Sequence, residues 1–158
     1  MSDNASLVGK TVPDFTAPMT GGTPFNLSDF RGRHLVLYFY PKDATPGCTT
    51  QGQQFRDLHA QFQAAGAEIV GVSRDSLKSH DNFRAKMEFP FHLIADTDET
   101  VCTMFDVIKM KNMYGKQVRG IERSTFVIDR TGVVREELRG VKVPGHADQV
   151  LAIVRSLG

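Results

Sequence analysis

"HLVLYFYPKDATPGCTT", His34 to Thr50, decides how the rest of the chain reads. From Leu35 to Tyr40 the apolar residues run without alternation, the pattern of a strand covered on both faces. Thr45 then suits a helix N-cap and Pro46 the first helical position. Phe55, Leu58, Phe62 and Ala65 recur at helical spacing until Gly66 supplies a stop. A buried strand therefore feeds directly into a helix whose first turn carries Cys48.

Working outward, the Gly21-Gly22 pair suggests an N-terminal hairpin, followed by a turn through Gly32. Downstream, Ala67 to Ser73 reads as a second buried strand, Ser76 to Met87 as a helix, and Phe91 to Ala95 as a short strand. A short helix is expected over Asp98 to Phe105. Ser124 to Gly140 reads as a hairpin turning at Asp129 to Gly132. Val150, Leu151, Ile153, Val154 and Leu157 give the last segment an apolar helical face. Strands alternating with helices imply parallel pairing through right-handed crossovers. The expected fold is a compact α/β sandwich with a mixed central sheet, in one domain spanning 1–158.

Composition narrows the classes of function. The chain has 158 residues, 41% hydrophobic and 23% charged, with a formal charge of +1, so it shows no electrostatic footprint for nucleic acid or an anionic membrane. Its start lacks a basic region followed by an apolar one, and no run approaches the roughly 18 apolar residues of a membrane span, so a cytoplasmic protein is expected. Two cysteines, Cys48 and Cys102, are too few for a disulfide framework, and neither lies in a zinc-binding pair. They are of interest as reactive thiols.

An ordinary cysteine thiol is only about 3% thiolate at pH 7, and the thiolate is the nucleophile. A helix N-terminus contributes about 0.3–1 kcal/mol toward an anion, which is too little by itself, so a permanent cation is expected nearby. Arg123, directly before the apolar strand "STFVID", is the best-placed candidate. Thr45 precedes Cys48 by three residues, where a dithiol oxidoreductase would carry its other cysteine. The hydroxyl there favours a substrate with oxygen atoms, to which it would donate while accepting from a backbone group.

"YFYPKDATPGCTTQGQQFRDL" resembles the active-site segment of the peroxiredoxins, with Pro41, Thr45 and Cys48 meeting their Pro-x-x-x-Thr-x-x-Cys pattern. "KNMYGKQVRGIERSTFVIDRTGVV" and "VKVPGHADQVL" resemble the Q-type branch, also called bacterioferritin comigratory protein. The resemblance implies a thioredoxin-like fold and a thiol peroxidase acting on hydrogen peroxide and organic hydroperoxides. It makes Cys48 the peroxidatic residue, with Thr45 and Arg123 holding the peroxide oxygens, Pro41 shielding the thiolate and Gln51 orienting Arg123. No metal, haem, flavin or nicotinamide cofactor is implied.

The chain departs from that branch where a resolving cysteine belongs. The position five residues after Cys48 is Gln53, and "SLKSHDNFRAKMEF" on the next helix has no thiol. Cys102 reads as a small buried hydrophobe, with a resolving thiol as the alternative. One-cysteine catalysis follows, the Cys48 sulfenic acid being resolved by thioredoxin or by glutathione with glutaredoxin, in a monomer or weak dimer. The competing readings are a two-cysteine peroxidase using Cys102 and a thioredoxin-fold holdase or binding module.

The remaining candidates have plainer explanations. None of His34, His59, His80, His92 and His146 sits in a hydrolase motif, and His146 is expected to cap the last helix. "YGKQVRG" reads as a solvated loop, with Lys109, Lys111, Lys116 and Arg119 available to steer an anionic reductant. Met104, Met110 and Met113 read as packing residues.

Overall fold

The computed structural model describes residues 6–158, leaving out the side chain of Met113. Its main sheet has five strands in the spatial order β5 (His92–Ala95), β4 (Ala67–Ser73), β3 (His34–Phe39), β8 (Ser124–Ile128) and β9 (Val134–Arg139). The central strand β3 is parallel to β4, which is parallel to β5. On its other side β3 pairs antiparallel with β8, and β8 with β9. The helices are α1 (Pro46–Ala64), α2 (Leu77–Met87), α3 (Thr100–Met104) and α4 (His146–Leu157). The mixed α/β architecture expected from the sequence is thus observed, and parallel pairing occurs at both crossovers.

Alternation along β3 divides the interior into two cores. Leu35, Leu37 and Phe39 pack with the N-terminal segments and with Val101, Cys102 and Phe105. Val36, Tyr38 and Tyr40 pack on the opposite face with Cys48, Phe55 and Phe62 of α1 and the apolar face of α4. The two cysteines therefore lie in different cores with the sheet between them. The N-terminal hairpin, β1 (Thr16–Ala17) and β2 (Phe25–Asn26), has a specific task. Its chain continues along the sheet edge, where Ala95 donates to the Pro18 carbonyl (2.8 Å) and Thr20 to that of Leu93 (3.0 Å), covering the otherwise open edge of β5.

Three local expectations are corrected. The "YGKQVRG" region is no loop: β6 (Ile108–Met113) and β7 (Lys116–Ile121) form a separate antiparallel hairpin turned at Tyr114 and Gly115, whose φ values are 54° and 79°. Consecutive left-handed residues are what a tight two-residue hairpin turn requires, but exposed strands conceal the apolar alternation that would announce them. Gly145, not His146, occupies the N-cap of α4, and the His146 ring is buried. Met104 packs against a core as expected, but Met110 is exposed and does not, and the Met113 side chain lies outside the described residues.

Candidate active site

The site forms where β3 ends and α1 begins. Pro46 and Gly47 fill the first two positions of α1, placing Cys48 third, 2% exposed, in a first turn without acidic residues. Arg123 arrives from the other side. It immediately precedes β8, and Ser124 is in register with Phe39, so the guanidinium is delivered to the C-terminal end of β3. Its Nη2 donates to Cys48 Sγ at 3.5 Å and its Nη1 to Gln51 Oε1 at 2.5 Å. Gln51 is fully buried one turn beyond Cys48 and presents its carbonyl oxygen to the arginine.

Gly47 permits this approach. A Cβ at that position would lie 3.1 Å from Arg123 Nη2, so even alanine would crowd the guanidinium. Cys48 Sγ thus lies between the Arg123 guanidinium on one side and, on the other, a helix start without a side-chain cap. Among the described residues Arg123 pairs with no carboxylate: its nearest acidic neighbours in sequence are taken, Glu122 by Arg139 and Asp129 by Arg135.

Thr45 is the N-cap residue, but its hydroxyl makes no capping bond and instead donates to the Lys42 carbonyl at 2.8 Å. This reverses the expected polarity. With its proton committed to a backbone acceptor, the Thr45 oxygen is left with acceptor lone pairs only. Pro41, half-buried, lies in the same loop.

Cys102 occupies the third position of α3 and is fully buried. The Asp96 carboxylate accepts from the backbone N–H groups of Val101 (3.0 Å) and Cys102 (2.7 Å). Burial first, and this carboxylate second, push the Cys102 thiol well above its ordinary range. Among the described residues no histidine hydrogen-bonds Cys48; His59 faces Glu68, His80 faces Asp43, His92 faces Thr20 and His146 faces Thr125. Of the basic residues expected to steer a reductant, Lys109 pairs with Asp106 and Arg119 with Glu99. Lys111 donates to the Ile121 carbonyl at 2.5 Å, and burial together with neighbouring Arg123 lowers its pKa.

A conserved-family model described as the AhpC/TSA family matches residues 8–137. Peroxiredoxin Bcp of Xanthomonas campestris is 57% identical over 143 residues, covering 90% of this chain and 89% of the relative. The chain belongs to the AhpC/TSA family. Within it, it groups with the Bcp or Q peroxiredoxins. Peroxiredoxin Bcp of Bacillus subtilis is 43% identical over 150 residues, covering 95% and 96% of the two chains. A solved structure of Xanthomonas campestris peroxiredoxin Q superposes with a TM-score of 0.86 at 57% identity, covering 90% of each chain. The arrangement described above is accordingly the thioredoxin fold of a peroxiredoxin. Structures of trapped intermediate and ligand complexes address the alkyl peroxide reduction activity of the Xanthomonas protein.

Sequence reasoning missed one set of polar residues beside this site. Asp43, between Pro41 and Thr45, is 7% exposed and hydrogen-bonds to Tyr40, Ser79 and His80. No local signal marks it, because its partners on α2 lie more than thirty residues away in sequence.

Proposed function

We propose that this peroxiredoxin is a one-cysteine thiol peroxidase for hydrogen peroxide and organic hydroperoxides. The observation that carries the reading is the Cys48, Arg123 and Gln51 constellation, in which a buried amide holds a guanidinium against a thiol at a helix start. Cys48 thiolate attacks the terminal oxygen of a hydroperoxide, the O–O bond breaks, and the departing alkoxide or hydroxide takes a proton, leaving Cys48 as sulfenic acid. Arg123 donates to the oxygen on which charge grows. Thr45, its own proton spent on Lys42, accepts the hydroperoxide O–H and aligns the O–O bond with sulfur. Pro41 shields the thiolate from water.

Resolution requires an external thiol. That thiol attacks the sulfenic sulfur, releasing water and forming a mixed disulfide, and a second thiol then regenerates Cys48 and leaves as the other half of a new disulfide. Placement of Cys102 across the sheet, with an Asp96 carboxylate beside it, disfavours the intramolecular route. Thioredoxin or glutathione with glutaredoxin is the expected reductant class, and a monomer or weak dimer of one domain, acting in the cytoplasm, the expected form. Among the described residues no helix is long and apolar enough to cross a membrane.

The test is intact mass after one equivalent of hydrogen peroxide, with and without a sulfenate trap, on wild type and Cys102→Ser. A trapped adduct on Cys48 that survives Cys102→Ser supports the one-cysteine route. A Cys48–Cys102 disulfide that disappears in the variant refutes it.

A further inference from the structure

The loop from Tyr40 to Thr45 has to hold Pro41, Thr45 and the start of α1 in one geometry, yet its middle is strained. Ala44 adopts φ 64°, a left-handed conformation that L-residues keep only where surrounding contacts enforce it. The enforcing contacts come from its neighbour Asp43. One carboxylate oxygen accepts from the Tyr40 hydroxyl at 2.6 Å, and the other from Ser79 Oγ at 2.8 Å and His80 Nδ1 at 2.7 Å. The Asp43 backbone N–H donates to Asp75 Oδ2 at 2.9 Å, an oxygen that also receives the Ser73 hydroxyl. His80, fully buried, is fixed at its far side by Nε2, which lies 2.9 Å from the Ile94 carbonyl oxygen.

These bonds tie the loop before Cys48 to the end of β4, to the first turn of α2 and, through His80, to β5. The His80 and carboxylate ligand atoms lie within 4.8 Å of one another, a spacing that invites a cation, but every one of them already has a protein partner. The arrangement works as a hydrogen-bonded clamp and needs no metal. We propose that Asp43 and His80 are positioning residues for the Cys48 reaction: closed, their clamp holds the Thr45 to Cys48 turn in peroxide-reactive geometry; opened, it exposes Cys48 to large thiol reagents. Neither residue touches the reacting atoms. The proposal rests on Cys48 being the peroxidatic residue.

A clamp differs from general stabilisation in moving two reactions of one thiol in opposite directions. In a Cys102→Ser background, Asp43→Ala and His80→Ala are each expected to slow sulfenate formation by hydrogen peroxide by about 10- to 100-fold, the scale on which small misplacements cost rate. The same variants should accelerate reaction of Cys48 with 5,5′-dithiobis(2-nitrobenzoate). Because the two side chains act as a unit, the double variant should lose little more than either single one. Asp43→Asn, which keeps an acceptor oxygen for Tyr40, should recover part of the peroxide rate. His59→Ala is the control, since it breaks another largely buried pair on α1, with Glu68, without touching the clamp.

Should an alanine variant fold poorly, Ser79→Ala removes a single bond of the clamp and should show the same opposed changes on a smaller scale. Peroxide and reagent rates that fall or rise together, or an equal loss in His59→Ala, overturn the clamp. Failure of the parent protein to form a sulfenate on Cys48 at all overturns the peroxidase reading instead, and is recognised before any variant is compared.

Discussion

Cys48 and Cys102 are a matched pair: each is the third residue of a helix, and they are 2% and 0% exposed. Helix position and surface exposure are therefore alike for both, so neither by itself separates the two thiols. What differs is the charge brought to the helix start. At α1 the N-terminal groups have no side-chain cap and a guanidinium is set against sulfur. At α3 the corresponding N–H groups are consumed by Asp96, whose carboxylate sits beside the thiol and opposes a second negative charge. On the proposed reading, the cation at α1 and the carboxylate at α3 are what set the two thiols apart.

The largest expected effect comes from removing that cation. Arg123→Met keeps much of the side chain's bulk but removes the charge and both hydrogen bonds. It should reduce the second-order rate with hydrogen peroxide by about 10²–10³-fold, the cost of losing one donor to developing charge. Gln51→Leu leaves Arg123 in place without its tether and should lose less. Stopped-flow peroxide consumption with saturating thiol measures both, and an Arg123→Met rate within twofold of wild type would remove the basis of the comparison.

Converting Cys102 toward Cys48 is a smaller effect. Asp96→Asn removes the opposing charge while keeping a side-chain oxygen for an α3 N–H group, so the Cys102 thiol should fall part of the way back toward its ordinary range. Its alkylation by iodoacetamide at pH 9, followed by peptide mass mapping, should increase. It should remain far below that of Cys48, because no cation replaces the carboxylate. Unchanged alkylation of Cys102 would mean that burial alone silences it.

Much of this contrast was legible in the sequence, and the boundary has a physical basis. The continuous apolar run before Tyr40, Pro46 at the helix start and Gly66 at its end are local signals, so β3 and α1 could be placed with Cys48 in the first turn. Arg123 was readable because a charge directly before an apolar strand has few places to go. The β6–β7 hairpin escaped because its exposed strands carry no apolar alternation. The Asp43 and His80 clamp escaped because its members come from distant segments that only the parallel sheet brings together. Thr45 was assigned correctly to the N-cap position but with the wrong bond, since hydroxyl direction depends on where the Lys42 carbonyl turns.

The smallest effects are on pH-dependent stability, where His146 and Cys102, on opposite sides of the sheet, should act at opposite extremes. On the Cys48 side, His146 is packed edge-on against Phe55, and burial lowers its pKa to about 4, with Arg123 acting in the same direction. Between the ordinary value near 6.5 and about 4, the unfolded chain binds the extra proton. The stability contributed by the neutral ring is therefore present above pH 6.5 and lost as pH falls toward 4. Burial also lowers the pKa values of His34 and His92, so His146→Gln should flatten this acid limb only in part. On the Cys102 side the sign is reversed. A thiol whose folded pKa is raised contributes stability below the ordinary thiol range, and loses it as rising pH ionises the unfolded chain first. Burial also raises the pKa values of Tyr38 and Tyr40, so Cys102→Ser should flatten the alkaline limb only in part, and should leave the acid limb unchanged. Thermal unfolding midpoints from pH 4 to pH 10 for wild type and the two variants measure both limbs; if either substitution flattens both, the two cores are coupled and the thiols do not have independent environments.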